Sequence, residues 1–181
     1  MQVTETRIPG VSILSSPVYR DGRGCFQVLY QRNAVVKAGI DQDWMQENLS
    51  ISEKNVVRGL HYQIVQPQSK LVRVVHGSVL DVVLDIRQSS PTFGQHIAVE
   101  LNPNDGKALF IPAGLAHGFI ALEPETVFLY KVDRPYAPQE ERTILWNDPE
   151  LGIEWPISAS DAIVSDKDLQ GRPFRIAEVF S

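Results

Sequence analysis

Apolar residues in this chain fall in short runs rich in Val, Ile and Leu, and Gly, Pro, Asn, Asp or Ser punctuates them at intervals of roughly 8–12 residues. That spacing predicts an all-β sandwich or barrel with little helix. The expected strands include Val11–Leu14, Cys25–Tyr30, Trp44–Ser52, Val79–Ile86, Gln95–Leu101 and Thr126–Val132. Others flank the Gln66-Pro67-Gln68-Ser69 and Pro112-Ala113-Gly114 turns. Gln31–Ala38 is the one segment that reads as a helix, with Gly39 as its C-cap. No linker, internal repeat or low-complexity segment breaks the pattern, so residues 1–181 are expected to form one domain.

Seventeen basic and 22 acidic residues give a net charge of −5, which argues against a general nucleic-acid binder. No apolar run is long enough for a membrane-spanning helix, so no membrane partner is expected. The first residues, Met1 to Arg7, lack the apolar core of a secretory signal. Cys25 is the single cysteine, which leaves no intrachain disulfide and no cysteine metal cluster. A cytoplasmic setting is the expectation.

Within this β pattern the stretch Val57–Arg73 collects Arg58, His61, Gln63, Lys70 and Arg73. A half-buried sheet does not bury such groups cheaply unless they are paired or used. Alternation puts Gly59, His61 and Gln63 on one face of the first strand, and Lys70, Val72 and Val74 on one face of the second. If those faces coincide, an imidazole and an ammonium converge. A cation beside a histidine disfavours the imidazolium, and the neutral ring can accept a proton. Proton abstraction is the chemistry such a site offers, and a small anionic ligand suits its local positive charge.

Gln46, Asn48 and Ser50 share one face of their strand, where they face either a ligand or solvent. Asp81 and Asp85 alternate with Val79 and Val83, and an outer face or pairing with loop amides accounts for them. His96 is expected at the surface, Trp146 and Trp155 as packing anchors, and Ser165–Asp168 as a compact charged cluster. His117 ends a Pro112-x-Gly-x-x-His turn of the kind found in cupin-type jelly rolls. Metal-binding cupins pair that turn with an earlier His-x-His and a carboxylate. The matching positions here are His61-Tyr62-Gln63 and Lys70, and an ammonium has no lone pair to offer a cation. A cupin barrel with its pocket and without a metal is therefore expected.

Over nearly its whole length the chain resembles the dTDP-4-dehydrorhamnose 3,5-epimerase family. The resemblance rests on Asp21-x-Arg23-Gly24, Gln46-x-Asn48, Arg58-Gly-Leu-His-Tyr-Gln63, Lys70-Leu-Val-Arg73, Asp81-Val-Val-Leu-Asp-Ile-Arg87 and Ser90-Pro-Thr-Phe-Gly94. It continues through Ile111-Pro-x-Gly-x-x-His-Gly-Phe119, Tyr130-Lys131, Trp146-Asn-Asp-Pro149 and Ser165-Asp-Lys-Asp168.

The resemblance implies a cupin jelly roll, a homodimer, and cofactor-independent inversion of C3 and C5 in a 4-keto-6-deoxyhexose nucleotide. It implies His61 as base, Asp168 as the carboxylate that positions it, Tyr130 as opposing acid and Lys70 at the enolate oxygen. Arg23, Arg58 and Lys167 would hold the nucleotide end, with Gln46, Asn48, His117 and Glu141 as further binding positions and Tyr136 stacking on the ligand. The segment from Asp21 to Phe26 would reach into a partner subunit's site, carrying Arg23 and Phe26. Val28 departs from the pattern, standing where many members carry a glutamate that contacts the nucleotide. Two other enzymatic readings share this motif set: a single-centre epimerase and, less well, a ketoisomerase. A non-catalytic carbohydrate-binding jelly roll would use the same pocket without turnover.

Overall fold

A computed structural model describes residues 1–181. The strands run in chain order as β1 (Gln2–Glu5), β2 (Ser12–Ser15), β3 (Val18–Asp21), β4 (Gly24–Gln27), β5 (Gln46–Ser52), β6 (Val56–Gln63) and β7 (Lys70–His76). They continue as β8 (Val79–Asp85), β9 (His96–Leu101), β10 (Lys107–Ile111), β11 (Leu115–Ala121), β12 (Thr126–Val132), β13 (Glu141–Thr143) and β14 (Ile163–Val164). Two short helices, α1 (Arg32–Lys37) and α2 (Asp166–Leu169), and a 3₁₀ turn at Phe174–Ile176 complete the chain. No helix is long and apolar enough to cross a membrane.

From β5 to β8 the chain alternates between two sheets, and β9 to β12 return alongside in reverse. One sheet has the order β1-β2-β10-β7-β12-β5 and the other β13-β6-β11-β8-β9. This antiparallel interleaving is the expected jelly roll.

Its interior is a cluster that includes Val72, Val74, Val79, Val83, Leu109, Ile111, Phe119 and Phe128, drawn from both sheets. The outer faces are covered too. Leu60, Tyr62, Val82, Leu84 and Ile86 pack under the C-terminal segment with Trp155, Phe174 and Phe180. On the other sheet Leu71 and Phe110 pack against Val35 of α1, with Trp44. Burial on both faces explains why β8 reads as a nearly continuous apolar run.

The expected helix is present, one residue shorter at each end, and Gly39 follows it at φ 86°. Trp146 is buried, and Trp155 donates its indole N–H to the Trp146 carbonyl at 2.8 Å, so both act as packing anchors.

Two expectations are corrected. Asp81 and Asp85 are fully buried on the inner face, because Val79 and Val83, which share that face, point into the core. Asp81 pairs with His117 and not with a loop. Asp85 does brace the following loop, accepting from the Arg87 N–H and from the side chains of Arg87, Ser90 and Thr92. His96 is half-buried rather than at the surface, and burial lowers its pKa. In the Ser165–Asp168 cluster, Ser165 caps α2 by accepting from the Asp168 N–H, and Asp168 is buried.

Candidate active site

Between the sheets opens a cavity of about 390 Å³. Its walls are made by inward-facing positions of five strands: Gln46, Asn48 and Ser50 on β5, Arg58, His61 and Gln63 on β6, Lys70 on β7, His117 and Phe119 on β11, and Phe128 and Tyr130 on β12. Tyr136 and Glu141 close its rim.

Strict alternation would put Arg58 and His61 on opposite faces, yet both line the cavity. The pairing of β6 with β11 explains it. His117 lies opposite His61 and Phe119 opposite Arg58, so β6 spends three residues where β11 spends two. This bulge resets the alternation and returns Arg58 to the inner face. It also brings the strands close at Gly59 and Gly118, where a Cβ on Gly118 would lie 2.6 Å from the Arg58 carbonyl oxygen.

His61 Nε2 lies 2.5 Å from Asp168 Oδ1. The other Asp168 oxygen accepts from the Gly59 N–H at 3.3 Å, so α2 and the bulge together fix the carboxylate. Burial works against ionisation of Asp168, but the hydrogen bond and charge of His61 outweigh it and hold the carboxyl below its usual range.

The faces of His61 and Lys70 do coincide. Burial pushes the Lys70 ammonium down to about 8, against the pull of Asp81 and Glu141. Tyr130, on the sheet opposite His61, is half-buried beside Phe128, with ring centroids 6.0 Å apart. Burial raises its phenol above the ordinary value, which keeps the proton on oxygen.

The remaining expected positions divide into those inside and those outside. Gln46 donates to Asn48 at 2.6 Å, forming the polar pair expected on β5. Arg58 is anchored by donating to Ser52 Oγ at 3.1 Å. Glu141 Oε2 accepts from Tyr136 Oη and from Lys167 Nζ, each at 2.5 Å. Burial opposes its ionisation, but these bonds hold its carboxyl below the usual range. Lys167 thus touches the rim from a neighbouring groove.

Arg23 and Phe26 are not brought to this cavity. They lie on the β3–β4 hairpin, which pairs with no other strand. Arg23 binds Asp21 at 2.6 Å with 91% of its side chain exposed, and Phe26 is 65% exposed. Val28 beyond them is exposed as well.

Two features of the site escape the sequence reading. Asp81 contacts His117 Nε2 through both oxygens, at 3.0 and 2.9 Å. Its signal is an aspartate sharing a face with core valines. Phe119 and Phe128 stack at 4.3 Å beneath the polar groups, and their apolar runs carry no mark of a pocket.

The arrangement sets a carboxylate-backed imidazole, an ammonium and a phenol around one cavity. The family model for dTDP-4-dehydrorhamnose 3,5-epimerase matches residues 5–175 of the chain. The chain belongs to that family. Over 181 residues it is 44% identical to the dTDP-4-dehydrorhamnose 3,5-epimerase of Pseudomonas aeruginosa, covering 99% of both proteins.

Among solved members, the Legionella pneumophila dTDP-6-deoxy-D-glucose-3,5-epimerase in complex with dTDP-4-keto-L-rhamnose superposes with a TM-score of 0.93. The two are 38% identical over 98% of this chain and 94% of that one. The Bacillus anthracis dTDP-4-dehydrorhamnose 3,5-epimerase, with TDP and PPi bound, superposes with a TM-score of 0.91 at 37% identity, over 95% and 98% of the two chains. The fold is therefore the cupin-type jelly roll of these 3,5-epimerases.

Proposed function

We propose that this chain is a dTDP-4-dehydrorhamnose 3,5-epimerase, which inverts C3 and C5 of dTDP-4-keto-6-deoxyglucose to give dTDP-4-keto-rhamnose. The observation that carries the reading is the His61–Asp168 pair facing a cavity shared with Lys70 and Tyr130.

A C4 ketone acidifies the C–H bonds at C3 and C5. His61 takes the proton from one of these carbons and the electron pair moves into the carbonyl, giving an enolate. Asp168 orients the ring and stabilises the imidazolium that forms. The Lys70 ammonium stabilises the enolate oxygen. Tyr130 then protonates the carbon from the opposite face and is left as a phenolate. Exchange with water returns a proton to Tyr130 and removes one from His61 before the second centre reacts. A phenol kept protonated by burial suits the acid.

Arg58 and Lys167 supply positive charge for the diphosphate, Gln46, Asn48, His117 and Glu141 hold polar groups of the ligand, and Tyr136 offers a ring face. No metal or cofactor enters this scheme: the charge that a metal would neutralise is met by an ammonium, which offers a cation no lone pair. The whole chain, 1–181, acts as one domain. In a homodimer, the exposed β3–β4 hairpin would carry Arg23 and Phe26 to the cavity of the partner. The reaction is placed in the cytoplasm, a setting that suits a lone exposed Cys25.

The experiment is to incubate the purified protein with dTDP-4-keto-6-deoxyglucose and read the product's ring configuration by NMR. A rhamno-configured product is expected. Recovery of unchanged sugar under conditions where a 3,5-epimerase from a relative turns it over would overturn the reading.

A further inference from the structure

A buried carboxylate needs compensation, and Asp81 finds it in His117. Asp81 sits opposite Phe119, two residues along β11 from His117, on the inner face and 0% exposed. Its two oxygens converge on one atom, His117 Nε2. An ionised carboxylate can only accept, so Nε2 must carry the hydrogen of that bond. Burial also pushes the His117 pKa below the ordinary imidazole value, against the pull of Asp81, which favours the neutral ring. A neutral ring protonated at Nε2 has its lone pair on Nδ1. His117 lines the cavity, and its only side-chain hydrogen-bond partner is Asp81.

We propose that Asp81 is a positioning residue for the epimerisation: it locks His117 in the Nε2–H form, so that Nδ1 accepts a hydrogen bond from a hydroxyl of the bound sugar. The inference rests on the epimerase reading for the identity of the ligand, and on His117 and Asp81 alone for the tautomer. The hydroxyl's hydrogen is then directed at the pocket floor, which fixes how the ring presents C3 and C5 to His61. His117 lies directly opposite His61 across the β6–β11 pairing, so a change in the first ring's orientation is felt beside the second.

The test is ¹⁵N NMR of the imidazole nitrogens in histidine-labelled protein, with kinetics of Asp81→Asn alone and in a His117→Gln background. The wild type is expected to show His117 protonated at Nε2 and bare at Nδ1. Asp81→Asn is expected to mix the tautomers and lower kcat/KM by about 10–100-fold, the range for losing a partner that orients a functional histidine. In the His117→Gln background the same change should cost little more, because it acts through the absent ring. A wild-type proton on Nδ1 overturns the proposal even where the Asn variant fails to fold. So does an Asp81→Asn loss that is undiminished without His117. Failure of the wild type to epimerise would sink the functional reading instead, leaving the tautomer to decide the rest.

Discussion

His61 and His117 lie directly opposite one another on neighbouring strands, and each is backed by its own buried carboxylate, Asp168 and Asp81. The two pairs differ in what the protein does to them. Asp168 comes from the short helix α2 and receives the Gly59 N–H as well, while Asp81 comes from a core strand two residues out of register with its histidine. One ring is half-buried and reaches the ligand space, and the other is buried at its floor.

Replacing Asp168 by Asn should leave the fold in place and lower kcat by about 10²–10⁴, the range spanned by losing an acid–base group and by misorienting its histidine. KM should change much less. Steady-state kinetics beside a circular-dichroism melt check this, and wild-type kcat in a folded Asn variant would remove Asp168 from the mechanism.

The same pair makes stability depend on acid. The Asp168 pKa is depressed in the folded state, so its contribution is present above the unfolded carboxylate value and is lost as pH falls through the folded one. Denaturant melts across the acid range should show the wild type losing more stability than Asp168→Asn.

Lys70 works in the opposite direction. Its ammonium falls from an ordinary 10.5 to about 8 in the folded protein, so the unfolded chain binds more protons between those values and stability rises with pH across that window. At pH 7 the buried charge costs up to about 3 kcal/mol, the fall between those two values at about 1.36 kcal/mol per pH unit. Lys70→Met should therefore raise the melting temperature while lowering kcat by about 10²–10³, the cost of losing one group that stabilises an oxyanion. The wild-type rate should decline on the alkaline side as the ammonium deprotonates near pH 8. A Met variant that is both less stable and fully active would contradict both halves.

Gly118→Ala should weaken the frame that positions both histidines. The new methyl would meet the Arg58 carbonyl oxygen at 2.6 Å and Leu60 Cδ2 at 2.9 Å, and the first contact is with backbone that cannot rotate away. Overpacking of this kind costs about 1–3 kcal/mol, and pushing β6 off β11 should lower kcat as well. Urea melts and kinetics together check it.

Arg23→Ala should raise KM with little effect on stability, because the side chain is exposed and bonds only to Asp21. If the hairpin serves a partner's cavity, mixing and refolding Arg23→Ala with inactive His61→Ala should regenerate activity. Hybrid dimers would then contain one complete site. A mixture no more active than its Arg23→Ala component would show that the hairpin does not act across subunits.

Much of this site is legible in the amino-acid sequence. Period-two alternation puts Gln46, Asn48 and Ser50 together, and Lys70 with Val72, because those strands are regular. It misplaces Arg58 relative to His61, because a bulge is a property of the strand pair and leaves only a glycine in the sequence. It misreads Asp81, since an aspartate among valines looks like a surface position until the opposite face is also found buried. Asp168 shows the other gap. Its role depends on a contact between residues 107 apart, which no local pattern encodes, and only the resemblance to a family supplies it.

The most direct test of the central claim is to run the reaction on dTDP-4-keto-6-deoxyglucose in heavy water and read deuterium at each ring carbon by NMR. The mechanism predicts label at both C3 and C5 in a rhamno-configured product, and loss of both labels in His61→Ala. Label at one carbon alone would make the protein a single-centre epimerase, and exchange that persists without His61 would contradict the base assignment on which the mechanism stands.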